Sequence, residues 1–157
     1  MTHMFDEKKK GPGQTVQNNG IKATHNKDSS PSVVLCKVPL ASGTNVFRAK
    51  YTRTGNSDAW IGVGNEKMDL NKSMGDKHSI AYNCDGAKGI DNDWSAYGSG
   101  FDSGDEIEVL VNVEEGWLEF KKNGESQGRI YEELKSWEPL FFGVGSYHSG
   151  ESWEILA

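Results

Sequence analysis

From Glu106 to Val113 apolar and polar side chains alternate: Ile107, Val109, Val111 and Val113 fall on one face, and Glu106, Glu108 and Asn112 on the other. A period of two marks a half-buried antiparallel strand. Glu114-Glu115-Gly116 then supplies a tight turn and Trp117 to Lys122 a returning strand. Asn123-Gly124 offers the positive backbone angles of a second hairpin turn, so a third strand is predicted to fold straight back.

The same patterning recurs along the chain. Gln14 to Gln17 and Ile21 to Thr24 flank a turn at Asn18-Asn19-Gly20, and His25 to Pro31 is a polar loop. Ser32 to Val38 is a β-branched run stopped by Pro39, and Val46 to Arg53 places Phe47, Ala49 and Tyr51 on one side. Trp60 to Gly64 is apolar on both faces, as a central strand should be. Asn65 to Lys77 is the longest polar stretch, a length at which loops are often functional. Ser79 to Asn83, a turn at Asp85-Gly86 and a short strand near Gly89 to Asp91 follow. Asp93 to Asp102 reads as irregular, anchored by Trp94, Tyr97 and Phe101. One helical turn is predicted within 131–137, then strands at Leu140 to Gly145 and Ser152 to Leu156. Ile61-Gly62-Val63-Gly64 and Phe142-Gly143-Val144-Gly145 echo one another, which fits two similar core strands. Roughly a dozen short strands with polar turns make an all-β protein, an antiparallel β-sandwich over residues 14–157. Residues 1–13 are expected to be a flexible N-terminal segment, with Phe5 able to tuck into the core.

Composition sharpens this picture. A chain of 157 residues has room for one domain with a real core. Its 19 glycines are scattered without a period, as many sharp turns require. The formal charge of −6 argues against nucleic acid or an anionic membrane as partner, since both need a basic face. The basic run Lys8-Lys9-Lys10 reads as solvated. Cys36 and Cys84 sit in strand-like sequence and suit small buried hydrophobes better than a disulfide framework. With no spanning apolar run and no secretory pattern, a soluble, cytoplasmic, monomeric protein is expected.

Candidate chemistry is sparse. Gly62-Val63-Gly64 lacks the third glycine and the helix of a nucleotide loop, and no serine sits in a Gly-x-Ser-x-Gly elbow. His3, His25, His78 and His148 show no metal-ligand spacing, and Ala96 stands where the calcium loop begun by Asp91-Asn92-Asp93 would need glycine. Glycoside hydrolysis needs two carboxyl groups flanking a cleft. Glu106 and Glu108 share a face, but Leu110 continues it and Val111 stands where a glucanase-like pattern would need an acid. No cofactor, no metal and no catalytic activity are expected.

Taken in order, several segments resemble the SPRY domain family. They are Gly104-Asp105-Glu106-Ile107, Glu114 to Phe120 and Lys121-Lys122-Asn123-Gly124, supported by Trp60-Ile61-Gly62-Val63, Tyr82 to Gly86, Tyr97-Gly98 and Pro139-Leu140-Phe141. The similarity runs from about Thr15 to Leu156. The N-terminal extension of the longer tripartite-motif versions is not recognisable, and Phe141-Phe142-Gly143-Val144 departs from the more usual Tyr-Pro pair. The resemblance implies a bent β-sandwich that binds a protein or short peptide through loops at one end, recruiting substrates to a ubiquitin ligase or scaffolding signalling. Carried over residue by residue, the implied site comprises His25, Asn26 and Lys27, the aromatic Tyr82, and Tyr147, His148 and Ser149, with Gly64 to Asp69 completing the rim. Exposed aromatics in a glycine-bounded loop also favour binding on physical grounds. The alternative is a carbohydrate-binding, lectin-like module using Trp94 with Asp91 and Asp93.

Overall fold

A computed structural model describes residues 3–157. Among the described residues fourteen strands form two antiparallel sheets of seven. In spatial order the first sheet is β1 (Phe5–Lys10), β4 (Ser32–Cys36), β13 (Leu140–Ser146), β6 (Ala59–Asn65), β7 (Ser79–Asn83), β8 (Ala87–Ile90) and β9 (Asp93–Ala96). The second is β12 (Glu125–Tyr131), β11 (Trp117–Lys122), β10 (Glu106–Asn112), β5 (Thr44–Thr52), β14 (Ser152–Ile155), β3 (Lys22–His25) and β2 (Gln14–Gln17). The helical content among the described residues is two 3-10 turns, Asn18–Gly20 and Lys135–Trp137.

The alternation in β10 does what its period requires. Ile107, Val109 and Val111 are fully buried and meet Phe47, Ala49 and Tyr51 of β5 and Leu118 and Phe120 of β11 in the core. From the facing sheet come Val34, Ile61, Val63, Ile80, Tyr82, Phe142 and Val144. Asn123 (φ 50°) and Gly124 (φ 85°) both take positive backbone angles, so β11 and β12 close on the two-residue turn that this dipeptide favours.

The echoed segments are partners. β6 and β13 pair with Gly62 opposite Gly143, and both strands are buried on both faces. Their outward side chains Trp60 and Phe141 join Val33, Leu35 and Ala81 in a second apolar cluster, closed by Met68 and Met74 with Leu70 against it. The long 66–77 loop is therefore a cover, tied down where the Val33 amide donates to the Leu70 carbonyl at 3.0 Å.

Three expectations change. Within the segment 1–13, expected to be flexible, residues 5–10 form β1 and pair with β4, Phe5 lying opposite Cys36 and fully buried. Met1 and Thr2 lie outside the described residues. His3 packs edge-on to Phe142 at 4.8 Å, and the Lys9 ammonium sits 3.5 Å from the centre of the Phe141 ring rather than in open solvent. Residues 93–96 form the edge strand β9, whose Trp94 ring lies on Gly75 and Gly89. Cys36 and Cys84 are both buried, and burial pushes both thiols up.

Candidate functional site

Three connections meet at one end of the sandwich: β3–β4 (residues 26–31), β5–β6 (53–58) and β13–β14 (147–151). Pairing brings them together, because Thr24 and Thr52 both lie opposite Ser152, and Ser32 and Ala59 both lie opposite Ser146.

Glu151 locks them. Its side chain is fully buried, and Oε2 accepts from the amides of Tyr147 (3.0 Å) and His148 (2.7 Å). Oε1 accepts from the Asp58 amide (2.7 Å) and the Tyr51 hydroxyl (2.5 Å). A carboxylate that receives charge-assisted bonds on both oxygens fixes two loops at once. Burial, and then the bond to Glu151, push the Tyr51 hydroxyl far above its ordinary pKa, so it stays a donor. The β3–β4 loop is stitched on by Ser30 N to Tyr147 O (3.1 Å), Ser149 N to Asp28 Oδ1 (3.1 Å) and Gly150 N to His25 O (3.1 Å).

Beneath the loops lies a sealed polar cluster. Gln14 Nε2 donates to Ser32 O (2.9 Å) and Ser146 Oγ (3.0 Å), and His25 Nδ1 is 3.0 Å from Ser146 Oγ. Gln14, His25 and Ser146 are each about 1% exposed. Burial holds the His25 imidazole below its ordinary pKa, against the pull of the Glu151 charge.

The expected site residues therefore divide. Asn26, Lys27 and Ser149 are exposed, and Tyr147 and His148 are half-buried with rings 4.9 Å apart at near right angles. These five share one surface. Asn26 is also tied to the first hairpin, its Nδ2 donating to Thr15 Oγ1 at 2.7 Å. His25 is not at that surface; it is a strut under it. Tyr82 is not there either: it is fully buried between the sheets, 5.3 Å from Phe101 and 5.4 Å from Phe120, with its hydroxyl donating to the Ser99 carbonyl. Burial pushes that hydroxyl up to about 12. The reason is strand parity, since Ile80 and Tyr82 point together into the core while Ala81 faces the second cluster. The 64–69 stretch buries Met68 in that second cluster and leaves Glu66, Lys67 and Asp69 exposed. Trp94 is occupied by its glycine seat and by an Nε1 contact of 3.3 Å to Asp76, and Asp91 accepts from the His78 amide.

Sequence reasoning did not single out Glu151 or Asp58. Asp58 is half-buried, and its carboxyl is raised by burial and by the charges of Glu151 and Asp85. Asp28, which accepts from the Ser149 amide, and Asp58, close to the charges of Asp85 and His148, put carboxylates at this end. Among the described residues no three His, Cys, Asp or Glu side chains converge to hold a metal ion, and no helix is long and apolar enough to cross a membrane.

Comparison with known proteins places this architecture. The chain is 29% identical over 148 residues to Ran-binding protein 9 of Xenopus laevis, covering 90% of this chain and 24% of that protein. Ran-binding protein 9 of Homo sapiens is likewise 29% identical, with 18% of its length covered. The chain thus spans a quarter or less of these relatives. Among solved structures, the SPRY domain of human HERC1 superposes with a TM-score of 0.83 at 22% identity, covering 96% of each chain. The TRIM65 PSpry domain superposes with a TM-score of 0.75 at 10% identity, over 100% of this chain and 93% of that one. The SPRY domain family itself matches residues 44–157, most of the sandwich, and the chain belongs to that family.

Proposed function

We propose that this domain is a non-catalytic protein-interaction module that binds a peptide or protein surface through the 26–30 and 147–150 loops. The observation that carries this reading is the Glu151 lock: it holds the Tyr147–His148 pair and, through Asp28 and Ser30, the Lys27 loop in fixed positions on a stiff sandwich. A rigid scaffold presenting a few aromatic and polar groups at fixed positions suits recognition, because little ordering entropy remains to be lost on binding. Tyr147 supplies the aromatic anchor, Lys27 and Asp28 charged contacts, and Asn26, His148 and Ser149 the polar rim. The relatives named as Ran-binding proteins support the same class of role.

Catalysis fits the side chains poorly. The one serine–histidine pair in this region, Ser146 with His25, is sealed beneath the loops, and Glu106 is engaged by Arg48 at 3.2 Å. A recruiting or scaffolding role, in which the domain carries a bound protein to machinery on other chains or other parts of a longer protein, follows from this reading.

Selection of a displayed random-peptide library on the immobilised domain tests it. Enriched peptides should lose about tenfold or more in affinity for Tyr147→Ala and lose affinity for Lys27→Glu, with Lys27→Glu melting like the wild type and Tyr147→Ala, which also gives up packing against the second apolar cluster, remaining folded. Enriched peptides that bind both variants as well as the wild type would overturn the loop assignment.

A further inference from the structure

A second surface lies at the other end of β5, away from the loops. Strand register places Tyr131, Trp117, Asn112 and Thr44 in one row across the outer face of the second sheet, and Arg129, Glu119, Leu110 and Val46 in the next. Among the described residues, Tyr131 (71% exposed) and Val46 (44%) are the exposed large hydrophobic side chains, and both are on this face. Trp117 shows what the face attracts: the Arg129 guanidinium stacks 3.7 Å from its ring centre and is steadied by Glu119 at 3.3 Å. The neighbouring Tyr131 ring carries no such cover.

The rim beside Tyr131 is acidic and held in place. Glu132 N donates to Gly116 O at 3.0 Å, joining the 114–116 turn to the 132–133 segment, so Glu114, Glu115, Glu132 and Glu133 fall at one edge. Among the described residues none of the four is in a salt bridge. Three are nevertheless positioned through one oxygen: Glu114 accepts from Gly43 N (2.9 Å), Glu115 from Trp117 Nε1 (2.8 Å) and Glu133 from Lys135 N (3.2 Å). Their other oxygens remain available to a partner.

We propose that this face docks a basic segment of a partner protein, with a Lys or Arg side chain stacked on Tyr131 and paired with the carboxylates beside it. An aromatic face next to fixed carboxylates favours a cation twice, through the ring quadrupole and through charge-assisted hydrogen bonds. A second copy of this chain would bring the same four carboxylates and a net charge of −6 to the contact, so self-association is disfavoured. Because Thr44 marks this end of β5 and Thr52, paired with Ser152, marks the loop end, both surfaces can be occupied at once.

Titrating the isotopically labelled chain with a blocked peptide of alternating Arg and Ala at ~0.15 M salt tests the proposal by amide chemical shift. Saturable shifts are expected at 114–119 and 129–133, with none from the same peptide carrying Glu in place of Arg. Tyr131→Ala should weaken the binding about tenfold while melting like the wild type, since that side chain is largely exposed. The Glu132→Lys/Glu133→Lys double variant should abolish it. Shifts that appear instead around Asp28 and Asp58, shifts that never saturate, or affinity unchanged by Tyr131→Ala would each overturn it. So would a dimer of the free chain that dissociates on Tyr131→Ala, which would make the face a self-contact.

Discussion

The Tyr51 hydroxyl donates to the fully buried Glu151 carboxylate at 2.5 Å, and that bond links the core of the second sheet to the loops above it. Glu151 has two donors on each oxygen, so Glu151→Gln must present an amide N–H₂ to one of those pairs. Leaving buried donors unpaired should cost about 3 kcal/mol, or roughly 6–12 °C in melting temperature for a domain of this size. Hydrogen exchange should speed up first at the amides of Asp58, Tyr147 and His148. Wild-type melting and exchange in Glu151→Gln would contradict the lock.

Tyr82 separates core from site. Tyr82→Ala should cost about 3–5 kcal/mol through the cavity it leaves among Tyr97, Phe101 and Phe120. Tyr82→Phe loses the bond to Ser99 alone, for about 1 kcal/mol, and should bind loop ligands like the wild type. Chemical denaturation of both variants, with peptide binding measured on Tyr82→Phe, checks this. A Phe variant that is stable but fails to bind would return Tyr82 to the site.

Acid should weaken the fold before ordinary carboxylates titrate. Burial depresses the pKa of both His3 and His25 in the folded state, so between those values and ~6.5 the unfolded chain binds more protons. Stability from this source is complete above ~6.5 and is lost as pH falls toward the folded values. Asp58 acts with the opposite sign, its raised folded pKa favouring the folded state as it protonates. Urea midpoints should therefore fall between about pH 7.5 and 5.5, with the His25 imidazole titrating below the ordinary histidine value by NMR. A flat midpoint over that range would contradict the sealed cluster.

Glycine positions should separate by what surrounds them. A Cβ at Gly62 runs into the Ile80 carbonyl oxygen and lies 2.8 Å from Ala81 Cα, both backbone, so Gly62→Ala should cost about 3 kcal/mol or prevent folding. Gly43 has φ +81° and nothing within 4 Å, so Gly43→Ala should cost only about 1 kcal/mol of backbone strain. Equal melting temperatures for the two would contradict the close approach of β6 to β7.

The sandwich was legible because its signals are local. The alternation of Ile107, Val109 and Val111, and the Asn123-Gly124 turn, need no knowledge of the rest of the chain. β1 escaped because Phe5 is a single deeply buried apolar residue ahead of a charged run, with no period to detect. β9 escaped because Trp94 sits among exposed neighbours and its seat, Gly75 and Gly89, is built from two other segments. At the site, sequence pattern put Ile80 and Tyr82 on one face but did not say which face was inward. Glu151 was invisible for a related reason: two of its donors, Tyr51 and Asp58, come from distant segments, so a buried acid there reads as an ordinary loop residue.

The most direct test of the central claim is the affinity of a library-selected peptide for wild type, Tyr147→Ala and Tyr131→Ala, measured side by side by calorimetry. Binding through the 26–30 and 147–150 loops requires about a tenfold or greater loss in Tyr147→Ala alone. An unchanged affinity in Tyr147→Ala, with the loss appearing in Tyr131→Ala, would move peptide recognition to the opposite end of the sandwich and contradict the account.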